Sequence, residues 1–274
     1  MYTEASPTPP LTPSALNEWH DGTRPPGLWA ALGLIVFYFV LQVVSSTLMV
    51  LLIQLSAGLM RVLQGKAHLS ALLGTAPAMP AITAMFTLIV SASLTLLLAY
   101  RKWPRLWSLA LPPGFGFALP ARPLFFALAI GVGLVAPVLG GLLTQLLAQG
   151  HKVSQDIQQL GGQTSLELRI PLMLVVTSVG PLVEELLFRG VLLSALMQRW
   201  RVGQAVAISS LAFVLVHLPG LQWQWYALPD LLLLALALAW LRLRSGSIWP
   251  SVLAHGVNNL LAVAAWFVAV NLPG

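Results

Sequence analysis

The sequence predicts an all-α fold, a polytopic transmembrane bundle of about seven to eight helices, and three observations carry that prediction. Hydrophobic residues make up 58% of the 274-residue chain and charged residues only 8%. A soluble domain carries about a quarter charged residues, so this composition suits lipid as the solvent. The apolar residues fall in runs of about 20, the length that crosses roughly 30 Å of hydrocarbon. The cations cluster at the ends of those runs, and many of the ten tryptophans and four tyrosines flank them, as residues of the headgroup region do. The net charge of +6 is therefore read as membrane anchoring, with no nucleic-acid partner. There is no cysteine, hence no disulfide framework, thiol nucleophile or thiolate metal site.

Residues 1–26 are polar and proline-rich and lack the basic start and short apolar core of a cleaved leader, so they are expected to form a disordered cytoplasmic tail. Helices and loops should fill 27–169, and a polar-residue-bearing core 170–271. The first span runs from Leu28 to Leu52 and continues towards Met60. An eighth crossing or a re-entrant piece has room between Leu55 and Met79. The second span, Ala81 to Tyr100, ends in the basic cluster Arg101, Lys102 and Arg105. Leu106 to Arg122 contains three prolines and reads as an interfacial connection. The third span covers Pro123 to Leu147 and is followed by a polar loop from Gly150 to Glu167. The run from Ile170 to Gln198 is too long for one simple crossing. Gly180-Pro181 interrupts it, and proline suits a helix's first turn, so a fresh helix is expected there. Val202–Leu218, Ala227–Leu241 and Ile248–Val270 complete the set.

With seven crossings, Arg24, Arg101, Lys102, Arg105, Arg122, Arg199, Arg201, Arg242 and Arg244 share one side, against Arg61, Lys66, Lys152 and Arg169 on the other. The bias puts the amino terminus in the cytoplasm, in a multi-pass protein of the cell's inner (cytoplasmic) membrane. No internal repeat is evident, which counts against an inverted-repeat transporter.

Ionisable groups at a membrane helix's centre cost a few kcal/mol each by insertion scales. They persist where they pair, face a wet cavity or do chemistry. Of the eight acidic residues, Glu4, Glu18, Asp21, Asp156, Glu167 and Asp230 lie in the tail, in loops or at a span's edge; only Glu184 and Glu185 sit deep in an apolar run. Of the five histidines only His217 and His255 do, and Arg189 reads as the one cation within a span. Glu185 and Arg189 are four apart, with the acid on the favoured amino-terminal side, so an ion pair is expected. That pair can be structural or part of a site. Glu184 points roughly 100° away and has no cation within reach on its own helix, which suits a general base or acid. His217 ends its run before Leu218-Pro219-Gly220, and on its own reads as an interfacial histidine bonded to a carbonyl. His255 and Asn259 share a helix face, where an amide can equally be glue between helices. Together these groups would supply a base, a second proton handler and a neutral donor for an oxyanion.

Three motifs, Glu184-Glu185-x-x-x-Arg189, Phe213-x-x-x-His217 and His255-x-x-x-Asn259, occur in this order on membrane helices. The set resembles the CPBP family of intramembrane proteases, which includes the CAAX prenyl endopeptidases and bacterial relatives linked to bacteriocin immunity. The resemblance covers Ile170 to Val270. It implies an endopeptidase acting on a peptide or protein at the membrane. Glu184 would activate a water, His217 would assist proton transfer, and His255 and Asn259 would stabilise the oxyanion, with Glu185 and Arg189 in support. No cofactor is required on that reading, but a glutamate and two histidines also make a possible zinc set, although no His-Glu-x-x-His pair is present. The alternative is a non-enzymatic binding, immunity or scaffold protein using the same polar site. Oligomeric state is not legible.

Overall fold

The computed structural model describes residues 24–64, 78–151, 153 and 156–268, and among these it is helical without a strand. The helices are α1 (Leu28–Gln64), α2 (Ala78–Lys102), α3 (Leu124–Ala148), α4 (Asp156–Gly162), α5 (Leu166–Leu196), α6 (Val202–His217), α7 (Leu228–Ser245) and α8 (Trp249–Val268). The helical membrane bundle expected from composition is what forms. Among the described residues, five helical segments are long and apolar enough to cross a bilayer: Leu28–Leu59 of α1, Met79–Lys102 of α2, α3, α5, and Trp225–Ser245, which includes α7. The shorter α6 and the 20-residue α8 pack among them. Most of the predicted tail lies outside the described residues. So does most of the space for an eighth crossing: α1 continues to Gln64, and 65–77 are not described.

The outer helices turn leucine and valine outward, with Leu55 69% and Leu146 73% exposed. Lipid must cover such a surface, since water-soluble monomers rarely expose so continuous an apolar face. The inward face of α3 is a row of small residues, Ala129, Gly133, Ala136, Gly140, Thr144 and Ala148, at helical spacing. Small side chains let helix backbones approach closely, which is how membrane helices gain packing without a hydrophobic driving force. That row meets α7 and α8.

The long run 166–196 is one continuous helix, and the expected fresh start at Pro181 is replaced by a widening of the coil. Val175–Val179 and Leu186–Leu192 are π-helical turns. The Gly180 N–H reaches back five residues to the Val175 carbonyl. Pro181, next in line, has no N–H to give, so the ladder must skip a carbonyl there. The helix absorbs the proline by loosening the turn before it. α5 is also the core of the molecule. Val183, Leu186, Leu187, Phe188, Val191, Leu192 and Leu193 are all buried, against α1, α2, α6, α7 and α8.

Two other expectations change. The polar loop from Gly150 to Glu167 contains the short α4, and α5 begins at Leu166. Arg242, counted among headgroup cations, is fully buried. Its guanidinium donates to the Ala110 carbonyl at 2.6 Å and the Gly114 carbonyl at 2.7 Å, pinning the connection between α2 and α3. Gly116, at φ +79°, is required there, because a Cβ would lie 2.7 Å from the Arg242 guanidinium carbon. Carbonyls freed by a turn-rich loop, and not headgroups, are this arginine's partners, so Arg189 is not the only cation inside the bundle.

Candidate active site

α5 supplies two adjacent glutamates that face different surroundings. Glu185 is fully buried, and its Oε1 accepts from Arg189 Nη1 at 2.9 Å, the i, i+4 pair that the spacing predicts. Arg189 sits in the second π-helical turn, where Nη2 donates to the Ala235 carbonyl of α7 at 3.1 Å. Its guanidinium carbon lies 4.3 Å from the centre of the Phe213 ring, a cation–π arrangement. The Glu185 Oε1 also meets His255 Nδ1 at 3.1 Å. Glu185 is thus more than Arg189's partner: it ties α5 to α8 through an imidazole.

Glu184 opens on a cavity of about 520 Å³ whose wall also includes His217, His255, Asn258, Asn259 and Asp230. Its Oε2 lies 3.5 Å from His217 Nε2 and 3.8 Å from His255 Nε2. The expectation of an acid without a partner holds along its own helix and fails in three dimensions, because α6 and α8 each bring an imidazole to it. The side chain of Glu184 is 19% exposed against 0% for Glu185, so Glu184 is the carboxylate open to the cavity.

The two rings are oriented from behind. His217 Nδ1 is 2.7 Å from the Phe213 carbonyl, one helical turn back. A carbonyl only accepts, so Nδ1 carries the hydrogen and Nε2 faces Glu184. His255 Nδ1 is fixed in the same way by the Glu185 carboxylate. The Phe213 ring lies 4.5 Å from the His217 ring and 5.6 Å from the His255 ring, centre to centre, beneath the Arg189 guanidinium. The first residue of the Phe-x-x-x-His motif is therefore the hub that spaces the two histidines and the arginine.

Asn259 Nδ2 donates to the Val176 carbonyl at 3.1 Å. Had the π-helical pattern continued past Gly180, that carbonyl would have been the acceptor for residue 181, the proline. The proline thus frees an acceptor on α5 that α8 uses to orient its amide. At the neighbouring carbonyl, of Thr177, α8 presents Gly256, and a Cβ there would approach the oxygen to 2.5 Å. All six residues singled out from the sequence converge. The sequence reading named Phe213 in its motif without giving it a role, and it overlooked the Val176 carbonyl and Asp230, whose position at a span's edge hid that it faces the same cavity. A larger cavity, of about 640 Å³, borders Thr177, Leu182 and Gly256 and contains none of the six. Among the described residues, no group of three or more His, Cys, Asp or Glu side chains is arranged to hold a metal ion.

The fold and the site define a multi-pass helical membrane protein with a carboxylate, two imidazoles and an amide gathered in its interior. Residues 166–261 match the family of type II CAAX prenyl endopeptidases, Rce1-like. The match bears out the resemblance drawn from the three motifs and contains all of them. At the level of that family the activity is that of a membrane endopeptidase, a peptide-bond hydrolase. No curated protein and no solved structure matches the chain.

Proposed function

We propose that the chain is an intramembrane endopeptidase that cleaves a membrane-associated peptide or protein with a water activated by Glu184. The observation that carries this reading is the Glu184 Oε2, partly exposed to a cavity and within 3.5 and 3.8 Å of two imidazole nitrogens. A water held by the carboxylate and His217 Nε2 gives its proton to Glu184 as its oxygen adds to the scissile carbonyl carbon. The carbonyl π electrons move onto oxygen and form the oxyanion. His255 in its imidazolium form keeps Nδ1–H on Glu185 and turns Nε2–H to the oxyanion, while the second N–H of the Asn259 amide is the other donor. When the tetrahedral species collapses, the C–N bond breaks, and the leaving nitrogen takes the proton from Glu184. The products are an acid and an amine. Glu185 and Arg189 hold His255 in place, and apart from the water and the substrate every group that acts belongs to the chain. Orientation is part of the proposal: with Arg242 removed from the basic count, the remaining cations still favour a cytoplasmic amino terminus, in the inner membrane.

The test is turnover by the full chain in lipid nanodiscs. Glu184→Gln keeps the shape of the side chain and removes its basicity. Cleavage should fall by at least about a hundredfold, the usual share of a general base, with the thermal unfolding midpoint unchanged. Turnover equal to the wild type would refute the reading. A phenotype that survives the substitution in cells would favour a binding or immunity role instead. Turnover that is lost to a chelator and restored by zinc would overturn the metal-independent sequence.

A further inference from the structure

Asp230 stands apart from the other charged groups around the Glu184 cavity. Glu184 faces two imidazoles, and Glu185 accepts from Arg189 and His255. Asp230 lines the same cavity and makes no hydrogen bond or ion pair among the described residues. It lies in the first turn of α7, where an acid complements the helix dipole, yet no side-chain cap forms there. Its place is set by packing. The carboxylate lies against the backbone of α3 at Gly140, where any Cβ would overlap it, so the small-residue row of α3 makes room for this acid. Among the described residues no lysine or arginine lines the cavity, and Arg189 is already committed to Glu185, the Ala235 carbonyl and the Phe213 ring.

We infer that Asp230 is a specificity-determining residue, which binds a lysine or arginine side chain of the peptide next to the bond that Glu184 attacks. A carboxylate held at a largely apolar wall without a counter-ion is a poor structural element and a good receptor, since a ligand cation would supply its missing partner. The amides of Asn258 and Asn259 are neutral and cannot do so. A sphere of this cavity's volume is roughly 10 Å across, the span of about three extended residues. The basic residue therefore falls within about three positions of the scissile bond. This inference rests on the proposed endopeptidase reading and names the substrate class of that same site.

The experiment uses the full chain carrying Glu184→Gln in nanodiscs, so that ligands stay intact. The probes are N-acetylated, C-amidated decapeptides, otherwise uncharged, with one lysine or one norleucine placed at each position in turn. Over a short window of positions, lysine should bind at least about tenfold more tightly than norleucine, as a hydrogen bond to a charged group provides. Adding Asp230→Asn should erase that preference, and Asp230→Glu should keep it. Equal affinities at every position, or a preference that survives Asp230→Asn, would overturn the inference. A preference seen only with unacetylated peptides would also overturn it, because the cation read would then be the amino terminus. Cleavage of the same peptides by the wild type tests the endopeptidase reading separately. Lysine preference without any cleavage would refute the enzyme and leave the cation site standing.

Discussion

α3 and α5 are both long apolar helices with internal proline, Pro137 in one and Pro171 and Pro181 in the other, and they do opposite jobs. α3 exposes Leu142, Leu146 and Val138 on one side and packs small residues on the other. α5 is buried on nearly every side from Val183 to Leu196 and carries both glutamates and Arg189. α3 keeps a regular coil through Pro137, whereas α5 widens into π-helical turns before Pro181 and again around Arg189. In a membrane, a hydrophobic run says only that a segment avoids water. What separates a wall from a working core is whether its backbone gives up regularity and whether its polar groups find partners on other helices.

Breaking the core helix at its ion pair should have the largest effect on stability. Arg189→Met leaves Glu185 buried with only His255 beside it. Removing one partner of a buried pair costs about 3–5 kcal/mol, so the variant should unfold at markedly lower denaturant than the wild type. No comparable cation exists on α3. A loss below about 1 kcal/mol would mean that water already reaches Glu185, and the contrast between the helices would dissolve.

The same leucine truncation placed on each helix gives a cleaner comparison. Leu192 on α5 is 1% exposed and Leu142 on α3 is 61% exposed. Leu192→Ala removes buried contacts and leaves a cavity, at a cost of about 2–5 kcal/mol. Leu142→Ala changes a lipid-facing side chain and should stay within about 0.5 kcal/mol. Unfolding midpoints in one detergent decide it. Equal losses would show that the outward face of α3 is covered by protein, a second copy included.

Much of this contrast was legible in the sequence because lipid imposes simple rules. Apolar runs gave the spans, and the i, i+4 spacing gave the Glu185–Arg189 pair. The burial cost of charge singled out Glu184, His217 and His255. What escaped depends on distant segments. His217 and His255 reach Glu184 only once three helices pack, so no spacing on α5 could reveal its partners. Arg242 sits beside Arg244 at a helix end and reads like any headgroup cation until the 104–121 connection folds back over it. Asp230 was hidden by the same ambiguity, since an acid at a span's edge can face water, lipid headgroups or an internal cavity. Gly180-Pro181 announced an irregularity but not its form, because a proline that starts a helix and one that is absorbed by a wider turn look identical in sequence.

That irregularity supplies the subtlest way to break the comparison. Gly256 follows His255 on the same helix as Asn259, and it faces the Thr177 carbonyl of α5. Gly256→Ala would press a methyl group to 2.5 Å from that oxygen, well inside van der Waals contact, and the opposing atom is backbone, which cannot rotate away. α8 must then shift outward, at about 1–3 kcal/mol for overpacking. The shift would carry the Asn259 amide from the Val176 carbonyl and His255 Nδ1 from Glu185. Turnover should therefore fall more than stability does, since misplacing a catalytic group by about 1 Å can cost a hundredfold in rate. A regular α5 would predict the reverse, a loss of stability with turnover per folded molecule unchanged, because no carbonyl on it would need the bare face of a glycine. Kinetics normalised to the folded fraction separate the two outcomes and show whether the widened turn before Pro181 belongs to the packing alone or to the catalytic geometry.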